Sequence, residues 1–439
     1  MSAGFVTLIM FGGLFGLLTM GIPLAFAMTS IAAVTISLLW GWNGLYIILM
    51  NIFGLIWNII FINIPMFIFM GVLLERSGIA EELFECIYRW TCRIRGGLAM
   101  GSVFVCVILG AMTGVAGADT VIMGLVALPA MLNRGYDKIL AVGTIAGAGT
   151  LTLMIPPSIT MILISLVAEI SIGKLLMAGV IPGIVLAGAF IIYIAVRTFF
   201  QPRLCPQIDE KFTWKEKIIS IKSIILPALI ILGVLGTMFF GIATPTEASA
   251  IGSVACVIAV AIHRRFSWKL IHEATMTTFS VTGMILWVAF GAVAFSNVYI
   301  SLGGAQLFND FILGLDLPPV FVFAAIVLVI LILGCFLDPT GIIFIVAPVA
   351  FPVLKKLGYD PIWFGIIFVI GIQCGYLTPP FGFSLFYLKS VAPPSISMAD
   401  IYRSVWPFVG VMILCIALIY LFPSLATWLP DLMARIQMG

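Results

Sequence analysis

Two pairs of adjacent prolines, Pro156-Pro157 and Pro379-Pro380, stand in the middle of long apolar runs. Proline has no amide hydrogen, so a helix crossing such a pair loses the donors for the carbonyls four residues earlier. Those carbonyls belong to Thr152 and Leu153 in the first run and to Gly375 and Tyr376 in the second. Hydroxyls stand close to both breaks, on Thr152, Ser158 and Thr378. Carbonyl and hydroxyl oxygens released from helical bonding are the ligands a hard monovalent cation such as Na+ takes. After each break a new half-helix begins, and its positive end can attract a carboxylate.

Two further apolar runs carry breaks of another kind. Residues 98–132 are interrupted at Thr113-Gly114-Val115-Ala116-Gly117-Ala118-Asp119, and residues 317–354 at Asp338-Pro339-Thr340-Gly341. Each run is too long for one span, and each arm has only about 14–20 residues where a span needs about 20. Two re-entrant helical hairpins are expected. Asp119 and Asp338 are the mid-segment charges of the apolar runs, and both fall at hairpin tips. Carboxylates at membrane depth usually face a cavity and mark a pathway. A capping role at the start of a helix is the other reading, and both stay open.

The elements that must position these breaks follow from composition. Of 439 residues, 63% are hydrophobic and 9% charged, where a soluble domain carries roughly 25% charged residues. The chain is expected to be an all-α polytopic membrane protein. Disorder, nucleic-acid binding and a disulfide scaffold find no support, and the eight cysteines form no CxxC pair. The first apolar segment lacks the basic flank and cleavage site of a signal peptide, so it reads as a retained span. Pro-Pro-broken helices are expected over 139–169 and 361–391. Interfacial helices are expected in the polar stretches Glu75–Gly97, Arg197–Lys222 and His263–Glu273.

The sequence also repeats. Gly135-Tyr136-Asp137 recurs as Gly358-Tyr359-Asp360, and the same offset of 223 carries Pro129 onto Pro352 and Pro156-Pro157 onto Pro379-Pro380. Two homologous halves, 1–200 and 224–439, are expected on either side of a cytoplasmic amphipathic linker, 201–223. An odd number of crossings in the first half inverts the second. With the N-terminus outside, inner connectors collect all of the 21 Lys and Arg except Lys174, Lys355, Lys356 and Arg435. The positive-inside rule thus favours both termini on the outer face. Inverted repeats with helices broken at the midplane are the signature of a secondary transporter.

Three motifs resemble a known family: Gly241-Ile242-Ala243-Thr244-Pro245-Thr246-Glu247-Ala248, Met154-Ile155-Pro156-Pro157-Ser158, and Gly375-Tyr376-Leu377-Thr378-Pro379-Pro380-Phe381-Gly382. They look like the large membrane subunit of tripartite ATP-independent periplasmic (TRAP) transporters, the DctM-like family, over nearly the whole chain. The resemblance implies an elevator-type Na+ symporter of organic acid anions in a bacterial inner membrane. It implies two partners, a small four-helix membrane subunit and a periplasmic substrate-binding protein. It puts the transport site at Thr113 to Asp119, Thr152 to Ser158, Asp338 to Gly341 and Gly375 to Phe381. Na+ would be held near Thr152, Ser158, Thr340, Gly375 and Thr378, and no other cofactor is expected. The first hairpin departs from the family in being poor in serine, which shifts weight onto backbone carbonyls there. Met1 leads almost directly into the first span, so the small subunit is expected to be a separate chain.

A self-sufficient dicarboxylate/Na+ symporter of similar design is the nearest alternative. An enzyme is disfavoured because no Gly-x-Gly-Asp or His-Glu-x-x-His occurs, and an ATP-driven pump because no Gly-x-x-x-x-Gly-Lys-Ser/Thr loop does. The acid itself is not named by these residues.

Overall fold

In hydrocarbon every backbone polar group needs a partner within the protein, which leaves helices and closed barrels as the ways to span a bilayer. The computed structural model describes residues 3–438 except 207–209, 211, 305 and 308–316, and its regular structure is helical throughout. The chain begins with α1 (Ala3–Thr19), α2 (Leu24–Trp40), α3 (Leu45–Ile56) and α4 (Ile60–Arg76). The apolar run 45–74 is bent by 53° between α3 and α4. An amphipathic helix, α5 (Ile79–Thr91), follows and buries Ile79, Leu83, Phe84 and Ile87 on one face.

Then comes the first hairpin, α6 (Gly97–Thr113) and α7 (Ala118–Asn133). The first broken helix is α8 (Lys138–Gly149), a 3-10 turn (Thr150–Leu153), the Pro-Pro break and α9 (Ile159–Val167). The long α10 (Ile172–Phe200) closes this half. Beyond the linker run α11 (Trp214–Ser220), α12 (Lys222–Phe239), α13 (Pro245–Ile262) and α14 (Trp268–Ser301). A second hairpin, α15 (Pro319–Gly334) and α16 (Pro339–Lys356), precedes the second broken helix, α17 (Pro361–Leu377) and α18 (Phe383–Val391). The chain closes with α19 (Met398–Leu421) and α20 (Ser424–Met438). Both Pro-Pro peptide bonds are cis.

Two of the three polar stretches differ from the interfacial helices expected there. His263–Glu273 makes no separate helix: Arg264 turns the chain with a positive φ of 56°, Ser267 caps the next helix, and α14 runs on for 34 residues. In the linker, α10 continues through Phe200, and α11 lies one residue from α12. Parts of the linker, Lys211 among them, and most of the expected outer connector 299–316 lie outside the described residues. The motif at Gly241–Ala248 is a helix start. Thr244 and Glu247 form a reciprocal capping box on α13, with Pro245 in the first turn.

Two groups of helices, a frame and a block, pack on each other mainly through α4 on α6 and α14 on α16. In the frame, α14 lies along α2, α3 and α4, and α13 packs on α4 and α12. In the block, α8 packs on α6, α7 and α19, α15 on α17, and α10 on α19 and α20. The block is the more enclosed: 67% of the apolar window of α16 is buried, against 17% for α11–α12. Paired charges at helix ends hold the frame, including Arg76–Glu273 at 2.7 Å between α4 and α14. At the same end Arg134, after α7, lies over the Tyr88 ring at 4.5 Å and donates to its hydroxyl at 3.1 Å. The Tyr88 hydroxyl donates to Glu210 of the linker at 2.5 Å.

Two close backbone approaches fall at places that match, to within one residue, under the repeat offset of 223. A side chain at Gly110 of α6 would meet the Cα of Thr152 at 3.0 Å. One at Gly334 of α15 would meet the Cα of Gly375 at 2.6 Å. In each half the ingoing hairpin arm therefore lies directly on the broken helix. Gly375→Ala is expected to destabilise the chain by about 1–3 kcal/mol, because only backbone is there to move aside. Gly410→Ala on α19, where nothing lies within 4 Å, should be near neutral. Thermal unfolding in detergent compares the two, and equal midpoints would show that the helices do not touch here.

Candidate functional site

Two glycines shape the first hairpin tip. Gly114 ends α6 with a φ of 60° and Gly117 precedes α7 with a φ of 86°, conformations that favour glycine. The tip lies against the first break: the amide of Ile159 donates to the carbonyl of Gly114 at 3.2 Å. A side chain at Gly114 would run into the Pro157 carbonyl at 2.6 Å. Behind the tip Asp119 is fully buried. It accepts from the Thr113 hydroxyl at 3.0 Å and from the Thr152 hydroxyl. Asp119 thus caps no backbone amide; it ties the hairpin to the unwound segment.

Asp338 behaves differently. It is the N-cap of α16, accepting from the amides of Thr340 at 3.2 Å and Gly341 at 3.3 Å. The break in this hairpin is therefore Cys335–Asp338, and Pro339, Thr340 and Gly341 form the first turn of a helix instead of the loop expected there. Proline at the first helical position needs no amide donor, which is why the helix starts at Pro339.

The four carbonyls expected to be free divide into two satisfied and two open. Leu153 accepts from the Ser158 hydroxyl at 2.7 Å, and Gly375 from the amide of Thr378 at 3.0 Å. The hydroxyl of Thr378 turns back onto the Cys374 carbonyl at 2.6 Å. The carbonyls of Thr152 and Tyr376 have no donor among the described residues. Short-range bonds around each break thus recover one carbonyl and leave one.

A cavity of about 100 Å³ joins the two tips. Gly114 lines it from the first hairpin, Asp338, Pro339 and Thr340 from the second, and Tyr376 from the second break. Thr113, Asp119, Thr152, Leu153, Pro156, Pro157 and Ser158 are not among its lining residues, nor are Gly341, Gly375, Thr378, Pro379 and Pro380. Thr160 and Tyr387, on the half-helices after the breaks, complete the polar lining, and Val281, Met284 and Ile285 of α14 form an apolar wall. These residues were not anticipated. Thr160 and Tyr387 are polar groups in the half-helices just beyond the breaks, a signal that could have been used, whereas three apolar residues inside a long apolar helix carry none. Gln373 was missed as well. Fully buried, it donates to the Thr150 carbonyl at 2.9 Å, and its own carbonyl oxygen has no partner among the described residues. Thr150 and Gln373 are separated by the repeat offset of 223, so the two broken helices meet at equivalent positions.

Hairpin tips and interrupted helices that line a small, largely apolar cavity with a few polar groups, inside an apolar helical bundle, define a polytopic membrane protein. The DctM family, "Tripartite ATP-independent periplasmic transporter, DctM component", matches residues 11–425. The chain belongs to this family, the large permease component of TRAP transporters. It is 32% identical over 392 residues to the C4-dicarboxylate TRAP transporter large permease protein DctM of Vibrio cholerae, covering 84% of this chain and 85% of that one. It is 28% identical over 436 residues to the ectoine TRAP transporter large permease protein TeaC of Halomonas elongata, covering 98% and 100%. The Alcanivorax borkumensis YdaH transporter superposes with a TM-score of 0.62 at 14% identity, covering 92% of this chain and 96% of that one, a likeness of fold. The relatives are permease subunits, not enzymes.

The two aspartates should separate experimentally. Asp119→Ala strands the buried Thr113 hydroxyl and leaves that of Thr152 only the Gly149 carbonyl at 3.3 Å, a cost of about 1–3 kcal/mol, and should speed backbone hydrogen exchange both at 113–119 and at 150–158. Asp338→Ala should cost about 1 kcal/mol, confined to 338–342 and largely recovered in Asp338→Ser. Exchange confined to the hairpin in Asp119→Ala would show that it does not hold the two elements together.

Proposed function

We propose that the chain is the large transmembrane subunit of a Na+-coupled TRAP transporter that imports an organic acid anion by an elevator movement of the block against the frame. The observation that carries this reading is the cavity in which both hairpin tips and the second break meet. Substrate held there touches both halves of the block and, through α14, the frame. Movement of the block would carry it past a wall that offers only apolar side chains.

Na+ as the coupling ion is supported by the oxygen chemistry of the breaks. The Thr152 and Tyr376 carbonyls lie in buried residues without donors. The hydroxyls of Thr152 and Ser158 have given their protons inward, to Asp119 and to Leu153, and an oxygen that has donated its proton still has lone pairs for a cation. Asp119 and Asp338 place carboxyl oxygens close by. The halves act as inverted repeats, with both termini on the outer face of a bacterial inner membrane, as the distribution of Lys and Arg indicates.

The partners in this reading are a small four-helix membrane subunit beside the frame and a periplasmic binding protein that delivers the anion. The relatives transport chemically different solutes by name, so the permease fold does not select the acid. In liposomes, the chain with both partners and loaded binding protein should take up substrate only with an inward Na+ gradient. Uptake that survives Na+ removal but collapses with a protonophore would overturn Na+ coupling and give Asp119 and Asp338 a proton-carrying role. The chain without its partners should show little uptake; robust Na+-driven uptake by it would favour a self-sufficient symporter.

A further inference from the structure

A cleft of about 740 Å³ lies between α3 and α14 of the frame and α9 and α16 of the block, a size typical of small-molecule sites. The helices that wall it also wall the cavity between the hairpin tips. On α9 the lining passes from Leu163 in the cavity to Leu166 and Val167 in the cleft, one turn on. On α16 it passes from Ile343 to its neighbour Phe344, and on α14 from Ile285 to Ala292 and Val293, two turns on. The far end of the cleft reaches Asn297, Ile300 and Lys355, on the face assigned above to the outside.

Lys355 is one of the four basic residues that break the positive-inside pattern. With Lys356 it ends α16, where a cation favours the helix C-terminus. Of the two, Lys355 lines the cleft and Lys356 does not. The other ionised lining group is Glu169, on the turn after α9, and neither makes an ion pair among the described residues. The remaining polar lining is largely amide and hydroxyl, including Asn51, Ser296 and Asn297. An unpaired ammonium at the mouth of a cleft with low-dielectric walls concentrates anions.

We infer that this cleft is the outer approach by which a small organic anion reaches the cavity between the hairpin tips, and that Lys355 draws it in. The inference rests on the proposed transport function and adds the route and the guiding charge. The test uses the complete transporter in right-side-out vesicles, with Na+ held constant and ionic strength varied with choline chloride. Lys355→Glu should lower the uptake rate about tenfold at low ionic strength and less than about twofold at 0.5 M. Glu169→Gln should raise it under the same low-salt conditions. A loss in Lys355→Glu that does not change with salt would overturn the guiding role.

The route is tested with a bulky, membrane-impermeant maleimide added outside, each variant's uptake being measured before and after labelling. Val293→Cys should label and lose its uptake. Ile242→Cys, on the exposed turn between α12 and α13, should label and keep it. Failure of Val293→Cys to label, unchanged uptake once labelled, or an equal loss in Ile242→Cys would each overturn the inference. Uptake before labelling reports separately on the transport function itself.

Discussion

Four prolines take four amide donors out of helices that pass through the interior of this protein. A buried carbonyl without a partner costs about 1–3 kcal/mol, so the surroundings of each break must meet that need or leave the oxygen for something else to bind. Ser158 and Thr378 meet it for one carbonyl at each break. Much of the block follows from the same constraint. Hairpin arms lie so close to the broken helices that a side chain at Gly334 would run into backbone and one at Gly110 would press on the Thr152 backbone. Asp119 gathers the Thr113 and Thr152 hydroxyls between a tip and a break.

The halves repeat in element order, yet their tips solve different problems. Asp338 stands at the helix start and spends its acceptors on two amides. Asp119 stands one residue inside its helix and reaches sideways to side chains. A shift of two positions, from the cap to the second helical residue, thus converts a cap into a cross-tie. The first tip becomes a rigid corner joined to its broken helix, while the second presents its capped helix start to the cavity.

The breaks, the hairpins and the family were legible in the sequence because proline, glycine and charge are rare and meaningful at membrane depth. Pro-Pro and Asp in an apolar run admit few readings. Which carbonyl stays open was not legible: it depends on whether Ser158 or the Thr378 amide folds back, a matter of local geometry. The choice between cap and tie was likewise invisible, since both aspartates follow a break at nearly the same distance. The bend between α3 and α4 carries no proline, and its segment reads as one uninterrupted apolar run. The α14 wall was hidden because Val281, Met284 and Ile285 look like any lipid-compatible stretch. Gln373 was hidden because a lone polar residue gives no sign of which neighbour it meets.

The contact of Arg134 with Tyr88 and Glu210 bears on how far the two groups of helices can part. Thirteen residues connect the end of α10 at Phe200 to the start of α11 at Trp214, a leash of about 45 Å when drawn straight. Its slack is partly taken up where Glu210 is held beneath Tyr88, and further upstream where the Leu204 carbonyl accepts the amide of Asp137 at 2.9 Å. Both fastenings attach the leash near the exit of the first hairpin. Beyond Glu210 only three residues, 211–213, remain before α11. The connector is thus fastened to the first hairpin as well as joined to the helices at its ends.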